Sequence, residues 1–147
     1  PLGGSEYLAQ FEGADSFPDL PPASGSVIET LADVADFDST LAVHDVSHGG
    51  LAVALAEMVH AGAGASVELD ADAAPTGTLF SELPGRAVVE TTDPDAVREA
   101  FEGVLPVTRL GDAIDSPVLD VDVGGERLVY DAAEIGELRS TIERALD

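Results

Sequence analysis

The sequence predicts an α+β fold, an α/β sandwich in which helices flank a mixed sheet. Three observations carry that expectation. Early in the chain, stretches with apolar residues three and four apart alternate with short apolar or period-two runs, as helices interleaved with strands would. Late in the chain, Gly124 and Gly125 separate two alternating runs, marking a two-residue hairpin that a strictly parallel, doubly wound sheet does not contain. Finally, 147 residues with 45% hydrophobic side chains suffice for one compact domain with a buried core.

Residues 1–23 read as a connector. "PLGGSEYLAQF" is partly ordered, whereas "EGADSFPDLPPA" carries three prolines and few periodic apolar residues. Residues 24–147 read as the domain proper. Ser26 and Glu29 form a capping box, followed by Val27, Ile28, Leu31, Ala32 and Ala35 on one helical face. "TLAVHDV" (40–46) is a short apolar run, expected to be a buried strand ending near His44. Leu51, Leu55, Met58 and Val59 recur at helical spacing until "GAG" at 62–64 stops the helix. "ASVELD" (65–70) alternates as a strand, "APTGTLFSEL" (74–83) reads as a short helix, and "GRAVVET" (85–91) as a strand.

Asp93 and Pro94 open a helix that turns Val97 and Phe101 inward. "VTRLGDAI" (107–114) and "SPVLDVDV" (116–123) read as strands, and "ERLVYD" (126–131) is the second arm of the hairpin. Asp131 caps a last helix with Ile135, Leu138, Ile142 and Leu146 inward. The chain has no internal repeat and no low-complexity tract.

Twenty-nine acids face six arginines and no lysine, for a formal net charge of -23. Such a surface repels nucleic-acid phosphates and anionic membranes, which excludes both as expected partners. The acids are spread from Glu6 to Asp147 without a long block, so they read as a surface adapted to high salt rather than as a partner-specific patch. The absence of cysteine excludes disulfides and thiolate metal sites and fits a reducing compartment, with a cytoplasmic location expected. No apolar run reaches the ~18 residues of a membrane helix. The opening "PLGGSEYL" has neither a basic segment nor a signal core, and without an initiator methionine the chain reads as a fragment of a longer polypeptide.

Candidate site residues fall in three stretches. In "HDVSHGGLAVALAEM" (44–58), Gly49 and Gly50 stand where a strand gives way to a helix. Free N–H groups at a helix start favour an anion such as phosphate, and Ser47 can cap the helix or meet the same oxygens. The plainer alternative is a tight turn with a cap. His44, Asp45 and His48 do not have the helical spacing of a zinc site, and no G-x-S-x-G elbow marks a hydrolase, so no metal ligand or catalytic residue is assigned. His44 alone reads as a histidine hydrogen-bonded at a strand end, and His60 as a surface residue or one complementing a helix C-terminal dipole. In "LFSELPGR" (79–86), Ser81, Glu82 and Arg86 bring together a hydroxyl, a carboxylate and the first guanidinium of the chain. Arg86 either pairs with Glu82 or grips an anionic substrate. "LGGSEYL" is a small-residue turn suited to close backbone approach.

Together and in this order, these three stretches resemble the last part of the phosphoribosylformylglycinamidine synthase family, large-subunit type, and specifically its C-terminal domain of the aminoimidazole-ribonucleotide-synthetase kind. The resemblance covers essentially the whole chain and is strongest over 40–90, with "GGSEYL" at the junction from a preceding nucleotide-binding domain. It implies the corresponding fold and an ATP-dependent, amidine-forming ligase. In that reaction formylglycinamide ribonucleotide, glutamine-derived ammonia and ATP with Mg²⁺ give formylglycinamidine ribonucleotide, ATP activating the amide oxygen as an iminophosphate. It further implies catalytic and Mg²⁺ ligands in upstream domains, so that this stretch alone is inactive, and partnership with those domains, a glutaminase subunit and a small synthase subunit.

The positions matching the family motifs are His44, Asp45, Ser47, Gly49, Gly50, Leu51, Ser81, Glu82, Gly85 and Arg86, and all but the two apolar or turn positions Leu51 and Gly85 are implied substrate- or nucleotide-binding residues. His48 and Leu83 depart from the pattern, where an acidic or small polar residue and a serine are usual, which weakens a phosphate role for Ser81–Glu82. Two alternatives stay open: a structural or assembly domain without a ligand site, and a related synthetase of the selenophosphate or thiamine phosphate type.

Overall fold

The computed structural model describes residues 1–11, 13–70 and 75–146, with side chains described up to residue 140. Its elements in order are α1 (Glu6–Gln10), α2 (Ser24–Ala35), β1 (Thr40–Asp45), α3 (Gly50–Met58), β2 (Gly64–Leu69), α4 (Pro75–Phe80), β3 (Ala87–Thr91), α5 (Pro94–Ala100), β4 (Gly111–Ile114), β5 (Val118–Val123), β6 (Glu126–Asp131) and α6 (Ala132–Leu146). The expected α+β class with a mixed sheet is what this order builds. The chain makes two compact units, Pro1–Ala54 with Thr76–Arg109, and Leu55–Pro75 with Leu110–Asp147.

In the first unit β1 and β3 pair antiparallel, Val43 opposite Val89 and Asp45 opposite Ala87, with a register shift between Thr40 and Ala42. Val34, Val97 and Phe101 form the core, and Leu31, Phe37, Val89 and Leu105 pack against it. Asp93 caps α5 as expected, its carboxylate accepting from Ala96 N–H at 3.1 Å. Four expectations need correction. Helix α2 starts at Ser24 rather than after Ser26, because Ser24 Oγ donates to the Pro21 carbonyl and fixes the turn two residues earlier. Its inward face is Val27, Leu31 and Val34, at i, i+4 and i+7, while Ile28 is 69% exposed and Ala32 and Ala35 lie outside. Strand β1 is not buried, for it has a single partner strand and Leu41 stays 61% exposed. Helix α4 ends at Phe80 instead of running to Leu83, consistent with Pro84 disfavouring helical backbone at the residue before it.

The second unit is a four-stranded sheet of order β4-β2-β5-β6. β2 pairs antiparallel with β4 and parallel with β5, and β5 pairs antiparallel with β6, which makes the sheet mixed. Period-two alternation buries Val67, Leu69, Leu119, Val121 and Val123, while Glu68, Asp120 and Asp122 point the other way. Each such side chain, fully buried, contributes about 1.5–3 kcal/mol.

Gly124 and Gly125, both at positive φ, make the expected two-residue turn. Asp131 caps α6 by accepting from Ala133 and Glu134 N–H, and Glu134 returns the bond to Asp131 N–H, a reciprocal box. Ile135 is buried, but Leu138 is 63% exposed, contrary to expectation, and Ile142 and Leu146 lie outside the described side chains. Strand β4 is shorter than 107–114, since regular pairing stops at Gly111 opposite Val67. Helix α3 stops at Met58, before the glycines at 62–64, where His60 and Ala63 bridge. No helix among the described residues is long and apolar enough to cross a membrane.

Candidate functional site

The strand β1 ends in the elbow that sequence singles out. Val46 N–H extends the ladder to the Arg86 carbonyl at 3.0 Å, and Gly50 N–H closes a turn on the Ser47 carbonyl at 3.0 Å. His44 Nδ1 lies 2.7 Å from the Asp45 carbonyl oxygen. A carbonyl can only accept, so this nitrogen carries the proton and the ring is pinned at the strand end. Asp45, Ser47 and His48 are exposed, and Val46, Gly50 and Leu51 are buried.

Gly50 has φ +68°, and a Cβ there would lie 2.6 Å from the Leu79 carbonyl oxygen and 2.9 Å from the Phe80 main chain. Its lack of a side chain therefore serves the approach of the elbow to the end of α4. Gly49 N–H is satisfied by a side chain of the same unit, donating to Glu82 Oε1 at 2.8 Å. The same oxygen accepts Glu6 N–H at 2.8 Å. One carboxylate oxygen thus joins the "GGSEYL", "HDVSHGG" and "LFSELPGR" stretches. His48 Nδ1 stands 3.5 Å from Glu6 Oε1, with the histidine 84% exposed, and the Tyr7 ring stacks on Phe80 with centroids 5.0 Å apart.

Glu82 and Arg86 do not pair with each other, which corrects one of the two sequence expectations. The Arg86 guanidinium donates from Nη2 to the Ser81 carbonyl, and its Nε is buried with no acceptor among the described residues. Burial pushes this guanidinium below its ordinary pKa. Ser81 itself is buried, and Glu82 and Arg86 are half-buried. At the arm, the N-cap Ser5 is buried, accepts Leu8 N–H at 3.2 Å and donates to the Leu2 carbonyl at 2.7 Å.

All eight sequence-derived site residues therefore fall on one strand end, the elbow after it and the loop after α4. Glu82 meets Gly49, and Arg86 meets Ser81 and, through its carbonyl, Val46. Sequence reasoning missed Tyr7, Phe80 and the Glu6 main chain. The local signal was an aromatic residue inside two of the three motifs.

A family model described as AIR synthase related protein, C-terminal domain, matches residues 2–124. The chain is similar to the protein named phosphoribosylformylglycinamidine synthase subunit PurL of Haloarcula marismortui, with 61% identity over 147 residues, 99% of this chain and 20% of that protein. The identically named protein of Natronomonas pharaonis is 57% identical over 146 residues, again 99% of this chain and 20% of that protein. That of Methanosarcina acetivorans is 30% identical over 148 residues, 97% of this chain and 20% of that protein. The chain spans about a fifth of the length of the curated relatives it matches.

Proposed function

The chain belongs to the AIR synthase related protein, C-terminal domain, family, and on that premise we propose that it is the C-terminal part of an ATP-dependent synthase of purine biosynthesis. The reaction is the conversion of formylglycinamide ribonucleotide, glutamine-derived ammonia and ATP to formylglycinamidine ribonucleotide. The name its relatives share supports this reading. Residues 1–23 connect to an ATP-binding domain upstream, and 24–147 form the synthetase-type domain. The partners are those upstream domains, a glutaminase subunit and a small synthase subunit, all in the cytoplasm. The chain alone is inactive, because the catalytic groups come from upstream.

The observation that carries a site role is the joining of the three motif stretches at Glu82 Oε1. A helix cap by itself requires two partners from neighbouring sequence, not three segments up to 76 residues apart. The donors fit part of a nucleotide site. Exposed Asp45 and Ser47 offer oxygens to the nucleotide, and Arg86, with an unused Nε, supplies positive charge toward phosphate. Mg²⁺, as the resemblance to the synthase family implies, takes its ligands mainly from the upstream domains. ATP, when bound, supplies the phosphoryl group that activates the amide oxygen. This chain orients and neutralises: His44 fixes the strand end, Gly49 and Gly50 shape the elbow, and Ser81, Glu82 and Arg86 hold the facing loop.

A scaffold role is the second reading, favoured by one fact: the Gly49 N–H that a phosphate would take is already taken by Glu82. Arg86→Ala in the full-length polypeptide separates the two. A site role weakens nucleotide affinity by about ten- to a hundredfold in calorimetry, the worth of a charge-assisted bond. Unchanged affinity and synthase activity remove the site role and leave the scaffold.

A further inference from the structure

We infer that Glu82 is a positioning residue that locks the N-terminal arm, residues 1–11, to the elbow at Gly49–Gly50, so that arm and elbow are protected or released together. The inference deepens the site reading above and rests on it only for its consequence at the nucleotide.

Glu6 N–H lies in the first turn of α1, where no carbonyl of the helix can reach it, and Gly49 N–H precedes α3. Both donors need an acceptor, and one carboxylate oxygen with two lone pairs serves both. Because the acceptor is charged, each bond is about twice as strong as a neutral one.

A second connection runs parallel to the first. Tyr7, next to Glu6, stacks on Phe80, and the Phe80 main chain lies against Gly50. The arm thus grips the 79–82 segment by a ring and a main-chain N–H, and that segment grips the elbow at two successive glycines. His48 of the elbow also approaches the arm, its Nδ1 3.5 Å from Glu6 Oε1. The arm is also tied to the segment that follows it. Gly3 N–H donates to the Ser16 carbonyl at 3.2 Å, and Leu2 N–H donates to Asp15 Oδ2 at 2.6 Å. A displacement of the arm therefore reaches Gly49 without any bond between Tyr7 and the elbow.

Amide hydrogen exchange on the chain in molar salt tests this. Glu82→Ala is expected to raise exchange about tenfold or more at both Glu6 and Gly49. Tyr7→Ala, which removes neither the Gly49 amide nor its acceptor, should also raise exchange at Gly49. Glu82→Gln keeps an oxygen acceptor and should restore much of the protection, whereas Glu82→Met, which fills similar space without an oxygen acceptor, should exchange like the alanine. Exchange rising at only one of the two amides, a Gly49 amide indifferent to Tyr7→Ala, or a glutamine no better than alanine overturns the inference. The milder glutamine and tyrosine variants decide the matter even where Glu82→Ala fails to fold, with the Phe101 amide in the core of the same unit reporting its opening. In the full-length polypeptide, Tyr7→Ala should also weaken nucleotide binding severalfold. Because the exchange arms use no nucleotide, a wild type that binds none would sink the functional reading and leave the lock standing. Uncoupled exchange would sink the lock alone.

Discussion

Replacing Gly50 by alanine tests the packing that places the elbow. The residue sits at φ +68°, a left-handed conformation that costs an ordinary side chain roughly 1–2 kcal/mol. Its new Cβ would also lie 2.6 Å from the Leu79 carbonyl oxygen and 2.9 Å from the Phe80 main chain, which can yield only by moving backbone, an overpacking cost of about 1–3 kcal/mol. The expected loss is about 2–5 kcal/mol, a large part of the stability of a domain this size. Gly103→Ala isolates the conformational part, since its φ is +76° and no atom lies within 4 Å of the added carbon. Urea and thermal unfolding in molar salt, followed by circular dichroism, should show Gly50→Ala losing about 1–3 kcal/mol more than Gly103→Ala. For a chain of this length each kcal/mol lowers Tm by about 2–4 °C. Equal losses at the two positions would refute the claim that Gly50 is needed for close approach.

Phe101→Ala, at the centre of the Val34–Val97–Phe101 cluster, should cost about 3–5 kcal/mol by urea titration, and a cost below about 1 kcal/mol would contradict that core. The Asp120 carboxyl is held below its ordinary value first by the side-chain hydrogen bond from Arg127 and then by that residue's charge. The sign follows: a depressed carboxyl adds stability above its unfolded-state value, and the gain disappears as pH falls through the folded-state value. Arg127→Met should therefore raise the Asp120 titration midpoint toward the ordinary aspartate value in a carboxyl-carbon NMR titration, and an unmoved midpoint would contradict the assignment. With a net charge of -23, the chain should lose thermal stability as salt falls from molar to ~0.1 M, because screening lengths grow; a flat Tm would argue against a salt-adapted surface.

Where a local rule involved only neighbours, sequence was sufficient. Asp93 and Asp131 cap their helices and Gly124–Gly125 turns the hairpin, because each depends on residues within a few positions. It failed where burial depends on a distant partner. Ile28 and Leu138 fit a helical stripe yet face outward, and "TLAVHDV" is apolar yet half-exposed, since period alone does not say how wide the covered face is. The helix expected to reach Leu83 stops at Phe80, and this frees Ser81 to Arg86 for the loop that carries the site.

The sequence by itself determined the mixture of helices and strands, the acidic surface, the caps at Asp93 and Asp131 and the three motif stretches, because composition and near-neighbour spacing encode these. Only tertiary structure decided that the motifs belong together. Glu82 reaches Gly49 across 33 residues and Glu6 across 76, and no spacing rule links a carboxylate to main-chain donors so far away. That pairing exists because β1 and β3 lie side by side, bringing the loop before one strand against the elbow after the other.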